Sequence, residues 1–373
     1  MNNLLHTPEG VRDIYGEEYS NKVYVENCIK EITNSFGYAP IQTPTFEFFD
    51  VFSKEVGTTP SKDLYKFFDK ENNTLVLRPD FTPSIARCAA KYYMEDNEPL
   101  RFSYIGNAFA RTGSLQGKLS ESTQVGAEFI NDDSVYADAE VIALAIKCLN
   151  AANLKNFRVS IGHIDYFKGI CEETGLDSET ELELRRLISG KNHFAATNLI
   201  ESKNIEAKYK DKLLGVAESF PDLNSLQNAK KNVSNERSIK AIERLEELYK
   251  VLCEYGVGDY VSFDLSMLSK YNYYTGVIFR VFTFGVGKPI VKGGRYDTLL
   301  SHFGKNAPAI GFGLEVDTIL EALSSQKITL PKTPSPTVIV YNPDDIDEYK
   351  KALTMANEIR NQGKPVVLNK KVK

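Results

Sequence analysis

Close cysteine pairs are missing from this sequence. Its five cysteines, Cys28, Cys88, Cys148, Cys171 and Cys253, are scattered through 373 residues. That spacing builds neither a zinc knuckle nor a redox motif, and an odd number of isolated cysteines reads as buried thiols in a reducing compartment. The four histidines, His6, His163, His193 and His302, are equally dispersed, so no metal site is expected. No run of about 18 apolar residues occurs, which leaves nothing to span a bilayer as a helix. The opening MNNLLHTPEG lacks a basic region followed by an apolar segment, and the expectation is a cytoplasmic protein. Positive charge is not in excess either. The 45 Lys and Arg against 50 Asp and Glu give a net charge of −5, a poor match to nucleic acid, which demands a concentrated basic patch. What is present is the composition of a globular chain, 42% hydrophobic and 25% charged, long enough for one large core and a smaller appendage.

Periodicity places the elements. Glu17 and Glu18 open a helix in which Val25, Ile29, Ile32 and Phe36 repeat at helical spacing, and Gly37 closes it. Pro40 and Pro44 hold the next stretch extended. LVLRPDFTPSIARCAAKYY reads as a strand, a turn at Pro79 and a helix. LRFSYIGNAFA and STQVGAEFI read as two strands joined by a polar loop. ADAEVIALAIKCLNAAN is a helix with Asp138 as the expected cap, and FRVSIGH is a strand. From about residue 170 to about 255 the chain is helical and free of strand signals. Strands resume with DYVSFDLSML and YYTGVIFRVFTFG, then the expected glycine turn KGGRYD, then the strand and helix of GFGLEVDTILEALSS. The proline-marked linker QKITLPKTPSP precedes a strand–helix–strand unit. The expected class is α+β: an antiparallel sheet flanked by helices over 1–325, with the helical insertion, and a small α/β unit over 334–373.

Certain residues stand out as an ordered set: Pro8, Gly10 and Asp13; Pro44 and Glu47; Arg78, Pro79, Asp80 and Thr82; Gln124, Gly126 and Glu128; Tyr273 and Tyr274; Gly293, Gly294 and Arg295. Asp80, Thr82, Gln124 and Glu128 offer acceptors to an ammonium group, and Gln124 and Glu128, four apart on a strand, share a face. Tyr273 or Tyr274 can wall a flat ring by stacking, one of the two if both lie on a strand. Glycines 293 and 294 permit close backbone approach to a ligand. Taken singly, each has a structural reading. Arg78-Pro79 turns a strand into a helix, GGRYD is a turn with Arg295 in solvent, Glu128 is a surface carboxylate, and His163 packs or lies on the surface.

In order and spacing the set resembles the catalytic core of class II aminoacyl-tRNA synthetases, with the YYTG and GGRYD segments closest to the histidine-specific members. The resemblance covers about residues 8–320. It implies three arginines that hold ATP phosphate, and here those positions depart from the pattern. Ala110 stands where the second motif carries its arginine and Thr112 where it carries glutamate. Ser269 replaces the arginine before YYTG, and Thr318 takes the place of the third. Charge-assisted hydrogen bonds contribute about 1.5–3 kcal/mol each, so losing three removes on the order of 4–9 kcal/mol, roughly a thousandfold to a millionfold in rate. Arg111 and Lys270 lie one position away, an offset that turns a side chain to the other face of a strand. No catalytic residue and no cofactor are expected.

A synthetase-like core with eroded arginines, followed by one strand–helix–strand where a synthetase has a complete anticodon-binding domain, is similar to the family of ATP phosphoribosyltransferase regulatory subunits. That resemblance implies a dimer built on the first motif, assembly with a short-form catalytic subunit, and feedback inhibition of histidine biosynthesis by histidine. It also implies a histidine pocket at Asp80, Thr82, Gln124, Glu128 and Tyr273 or Tyr274. The missing arginines weaken the carboxylate side of that pocket. Loose binding, binding through Arg111 or Lys270, and binding at a subunit interface all remain open. The alternative is a divergent histidine–tRNA ligase.

Overall fold

A computed structural model describes residues 5–52, 59–111, 119–203, 205–215, 219–220, 222–268, 274–332 and 334–371. The chain divides into two compact units, residues 1–13 with 22–329, and residues 14–21 with 330–373. Helix α1 (Gly16–Ser35) carries Glu17 and Glu18 in its first turn and buries Val25, Ile29 and Thr33 at four-residue spacing. Gly37 follows with φ +77°, the left-handed conformation that ends a helix without a Cβ clash.

A nine-stranded sheet organises the larger unit. In chain order its strands are β1 (Ala39–Pro40), β5 (Leu100–Phe109), β6 (Glu121–Ile130), β7 (Phe157–His163), β8 (Ser219–Phe220), β9 (Val261–Asp264), β10 (Val277–Thr283), β11 (Val291–Arg295) and β12 (Ala309–Glu315). In space the order is β1-β5-β6-β12-β11-β10-β7-β9-β8. The pairs β1–β5 and β7–β9 are parallel and the others antiparallel. Pro40 sits in the edge strand, where its missing N–H breaks no ladder. A separate antiparallel sheet joins β2 (Phe46–Phe48), β4 (Thr74–Leu77) and β3 (Lys66–Phe68), and helix α2 (Thr82–Tyr92) follows β4.

Register sorts the side chains of the large sheet. One face presents Val125, Ala127 and Phe129 of β6, Ile310, Phe312 and Leu314 of β12, and Phe279 and Val281 of β10, all buried. Helix α3 (Val135–Ala151) packs beneath β6, β11 and β12. Its Val, Ala, Ile and Leu side chains are buried around the whole circumference, as a core helix requires. The opposite face carries glycine at 126, 294, 311 and 313, and α2 covers its end over Phe102 and Ile130.

Several expectations are corrected. The N-cap of α3 is Ser134, whose hydroxyl accepts from the Ala137 N–H at 3.3 Å. Asp138, one residue past that donor, is wholly buried and grips two arginines. Arg295 donates to one oxygen through Nε (2.9 Å) and Nη2 (2.6 Å), and Arg244 to the other at 2.9 and 2.7 Å. Arg295 is therefore buried, not solvated, and also holds the Asp132 carbonyl at 3.0 Å. KGGRYD is strand β11 rather than a turn. A Cβ on Gly293 would collide with the Phe279 ring and one on Gly294 with the Tyr274 ring, so the glycines make room for neighbouring aromatics. The helical block begins earlier than expected, at α4 (Ile164–Thr174), and continues through α5 (Ser178–Ser189), α6 (His193–Ser202), α7 (Ala207–Gly215), α8 (Leu223–Lys231) and α9 (Glu236–Glu254). It contains β8, which pairs with β9. His163 caps α4, its Nδ1 accepting from the Asp165 N–H at 3.2 Å, and burial holds its pKa down at about 4.

In the smaller unit β13 (Thr337–Tyr341) and β14 (Val366–Lys370) pair in parallel, and α11 (Ile346–Asn361) supplies the crossover that parallel strands need. Asp345 caps α11 by accepting from the Asp347 and Glu348 N–H groups.

Removing one member of a buried charge cluster leaves the others uncompensated, at about 3–5 kcal/mol. Asp138→Ala is expected to lose stability of that order in urea denaturation. Arg244→Ala, whose side chain is 26% exposed, is expected to lose distinctly less.

Candidate functional site

The candidate site lies on the glycine-bearing face of the sheet, where the start of α2, which follows β4, meets Glu128. Pro79 ends the extended segment, and the Asp80 carboxylate accepts from the Phe81 N–H at 2.7 Å and the Thr82 N–H at 3.5 Å, setting the start of α2. Arg78 braces this turn. Its Nε donates to the Asn107 carbonyl (2.8 Å) and its Nη1 to the carbonyls of Thr43 (2.9 Å) and Pro44 (3.1 Å). The guanidinium also stacks on the Phe81 ring at 4.0 Å. The structural reading of Arg78 holds.

Thr82 enters the pocket from the first turn of α2, and its hydroxyl donates to Glu128 Oε1 at 2.8 Å. The Tyr296 hydroxyl donates to Glu128 Oε2. Glu128 is 1% exposed, so it is not a surface carboxylate. Its carboxyl lies where a side chain on Gly311 would be, and Gly311 is its direct partner across the ladder. The Gln124 amide lies over Gly313 and the Tyr104 hydroxyl over Gly126. Tyr104 is itself held by stacking on Phe81, with centroids 4.4 Å apart. Tyr274 leans its ring over Gly294. The expected same-face placement of Gln124 and Glu128 is what the register gives.

Burial governs the electrostatics. It raises the Glu128 carboxyl to about 8, against the downward pull of the Tyr296 and Thr82 hydroxyls and with a further push from Asp80. Burial likewise pushes the Tyr104 and Tyr274 hydroxyls up, with Asp80 and Glu128 adding to both. A protonated carboxyl at neutral pH, ringed by hydroxyls, is chemistry for recognising a cation or a ring N–H, since such a partner stabilises the ionised form.

Other expected site residues fall elsewhere. Tyr273 and Lys270, with Ser269, lie outside the described residues. Strand β10 begins only at Val277, so Tyr274 precedes the strand rather than alternating along it. Arg111 is exposed beyond the end of β5, its N–H donating to the Asp63 carbonyl at 2.8 Å, so facing on a strand does not decide its direction. Thr318, at the start of α10 (Val316–Ser325), is buried and donates to Glu315 at 2.8 Å, while Lys288 pairs with the same carboxylate at 2.6 Å. Tyr296 and Tyr104 are pocket groups that the sequence reading missed. Counting in twos along β5 from Gly106 reaches Tyr104, and Tyr296 directly follows Arg295 in a segment already singled out.

Residues 10–319 match the family model described as histidyl-tRNA synthetase. The structure of histidyl-tRNA synthetase from Nostoc sp. PCC 7120 superposes with a TM-score of 0.82, covering 99% of this chain and 86% of that one at 20% identity, a likeness of fold alone. The class is thus the histidyl-tRNA synthetase fold. A closer likeness comes from a protein of Acetivibrio thermocellus named ATP phosphoribosyltransferase regulatory subunit, 42% identical over 96% of this chain and 85% of that protein. A Bacillus halodurans structure described as ATP phosphoribosyltransferase regulatory subunit/histidyl-tRNA synthetase superposes with a TM-score of 0.89 at 33% identity, covering 98% of this chain and 93% of that one. The chain belongs to the ATP phosphoribosyltransferase regulatory subunit family, a non-catalytic branch of that fold.

Glu128 makes stability depend on pH. Its folded pKa of about 8 lies above the ordinary 4.5, so the fold holds a proton that the unfolded chain releases. Its stabilising contribution is complete below about 4.5 and is lost as pH rises through about 8, a change of roughly 3–5 kcal/mol. Urea midpoints measured from pH 5 to pH 9 are expected to fall more steeply for the wild type than for Glu128→Gln, with the variant gaining relative to the wild type as pH rises.

Proposed function

We propose that this chain is the regulatory partner of a short-form ATP phosphoribosyltransferase catalytic subunit, serving the first step of histidine biosynthesis and its feedback inhibition by histidine. One observation carries the reading. A chain whose relative at 42% identity bears the regulatory-subunit name places Ala110, Ser269 and Thr318 where a synthetase-like core needs phosphate-binding arginines. Histidine is proposed to lie over the glycine face, its cationic groups toward Asp80, Thr82, Gln124 and Glu128, with Tyr274 and Tyr273 as walls. The buried carboxyl and its hydroxyl partners support this placement.

A cytoplasmic homodimer is the proposed state of the chain. Phe46, Phe48, Phe67 and Phe68, on β2 and β3, are 52%, 55%, 37% and 69% exposed. So much aromatic surface on one small sheet, beside Pro44 and Glu47 of the ordered set, supports an interface there. Residues 334–373 are proposed as a separate domain, a reading supported by the compact unit that contains them.

The test is reconstitution. Phosphoribosyl transfer to ATP is measured with the catalytic subunit alone, this chain alone, and both together. The expected result is activity that requires both and is inhibited by histidine. A catalytic subunit whose rate ignores this chain would remove the proposal. Light scattering is expected to report twice the chain mass, and replacing Phe46 and Phe68 with Glu is expected to halve it.

A further inference from the structure

Arg280 on β10 stands directly opposite Lys292 on β11. Like charges so placed destabilise a sheet, unless something negative lies between them. The register carries both onto the pocket face, because Lys292 pairs with Gly313 and Gly313 with Gly126. Their fields reach the pocket: Arg280 acts on the Tyr274 hydroxyl and Lys292 on the Glu315 carboxylate. Glu315 itself is engaged by Lys288 at 2.6 Å and by Thr318 at 2.8 Å. Half-buried Arg280 has no hydrogen-bond or ion-pair partner among the described residues.

A second observation is independent of these charges. The Tyr104 hydroxyl and Gln124 Oε1 are buried with no hydrogen-bond partner among the described residues. Both side chains lie over the glycines of the same row, Tyr104 above Gly126 and Gln124 above Gly313, next to Lys292. Buried polar atoms without partners are rare in folded proteins and mark a place for a ligand or an ordered water. The face is therefore acidic at Asp80 and Glu128, basic at Lys292 and Arg280, and lined with unsatisfied polar groups in the middle.

We infer that Arg280 and Lys292 form an oxyanion subsite at the basic end of this face, which, given the amino-acid pocket proposed above, takes the ligand's carboxylate. The guanidinium supplies a planar pair of donors and the ammonium a point charge. The ligand is a zwitterion, its cationic groups at the acidic end, its middle met by Tyr104 and Gln124. Arg111 and Lys270 are not needed in this role.

The test is calorimetry on the full chain with L-histidine and with histamine, which lacks only the carboxylate. The wild type is expected to bind L-histidine at least about tenfold more tightly than histamine. In the double variant R280Q/K292Q the two affinities are expected to converge, with histamine unchanged. The melting temperature of the ligand-free double variant is expected to stay at or above that of the wild type, because two repelling cations are gone. A preference for L-histidine that survives in the double variant, or one absent from the wild type, overturns the subsite. Should neither compound bind the wild type, the amino-acid pocket falls, and inorganic phosphate then decides the subsite separately. Phosphate that raises the melting temperature of the wild type alone upholds the subsite, and equal effects on both proteins reject it.

Discussion

Glu128 can lie flat against the sheet only because residue 311, its partner across the ladder, has no side chain. That steric exclusion orders the whole pocket. With glycine at 311, 313, 126 and 294, side chains from adjoining strands and from α2 lie over the sheet instead of standing up from it, and the carboxyl, an amide and two phenols converge. A Cβ on any of these glycines would meet one of those side chains. Dry surroundings then set the chemistry. A carboxyl held near pKa 8 by burial responds to a cationic ligand in the neutral range, where an exposed glutamate would not.

The other face of the same sheet holds the frame still. Arg295 leaves β11 on the core side and closes on Asp138 of α3, with Arg244 of α9 completing the cluster. The glycine next to Arg295, at 294, belongs to the pocket face. A two-residue segment thus joins the charge cluster that locks α3 and α9 to the space that Tyr274 occupies.

Much of this was legible in the sequence, and the failures have physical causes. Strands β5 and β6 and helix α3 declare themselves through alternation or continuous apolar content over ten or more residues. The ordered motifs placed Asp80, Thr82, Gln124 and Glu128 around one site. KGGRYD misled because adjacent glycines signal a turn locally, whereas here the rings of Phe279 and Tyr274 demand them. Asp138 misled because an acidic residue early in a helix resembles a cap, while its partners lie 106 and 157 residues away. Arg280 and Lys292 are twelve positions apart and unremarkable in one dimension. Only the strand register sets them opposite each other.

The central claim is that the proposed amino-acid site does not activate its ligand, because Ala110, Ser269 and Thr318 stand where a synthetase-like core carries its phosphate-binding arginines. Histidine-dependent exchange of labelled pyrophosphate into ATP, measured on the full chain at millimolar histidine, tests it most directly. The account predicts exchange at the level of a blank without protein. Robust exchange that requires histidine would contradict it and return the chain to the ligases whose fold it shares.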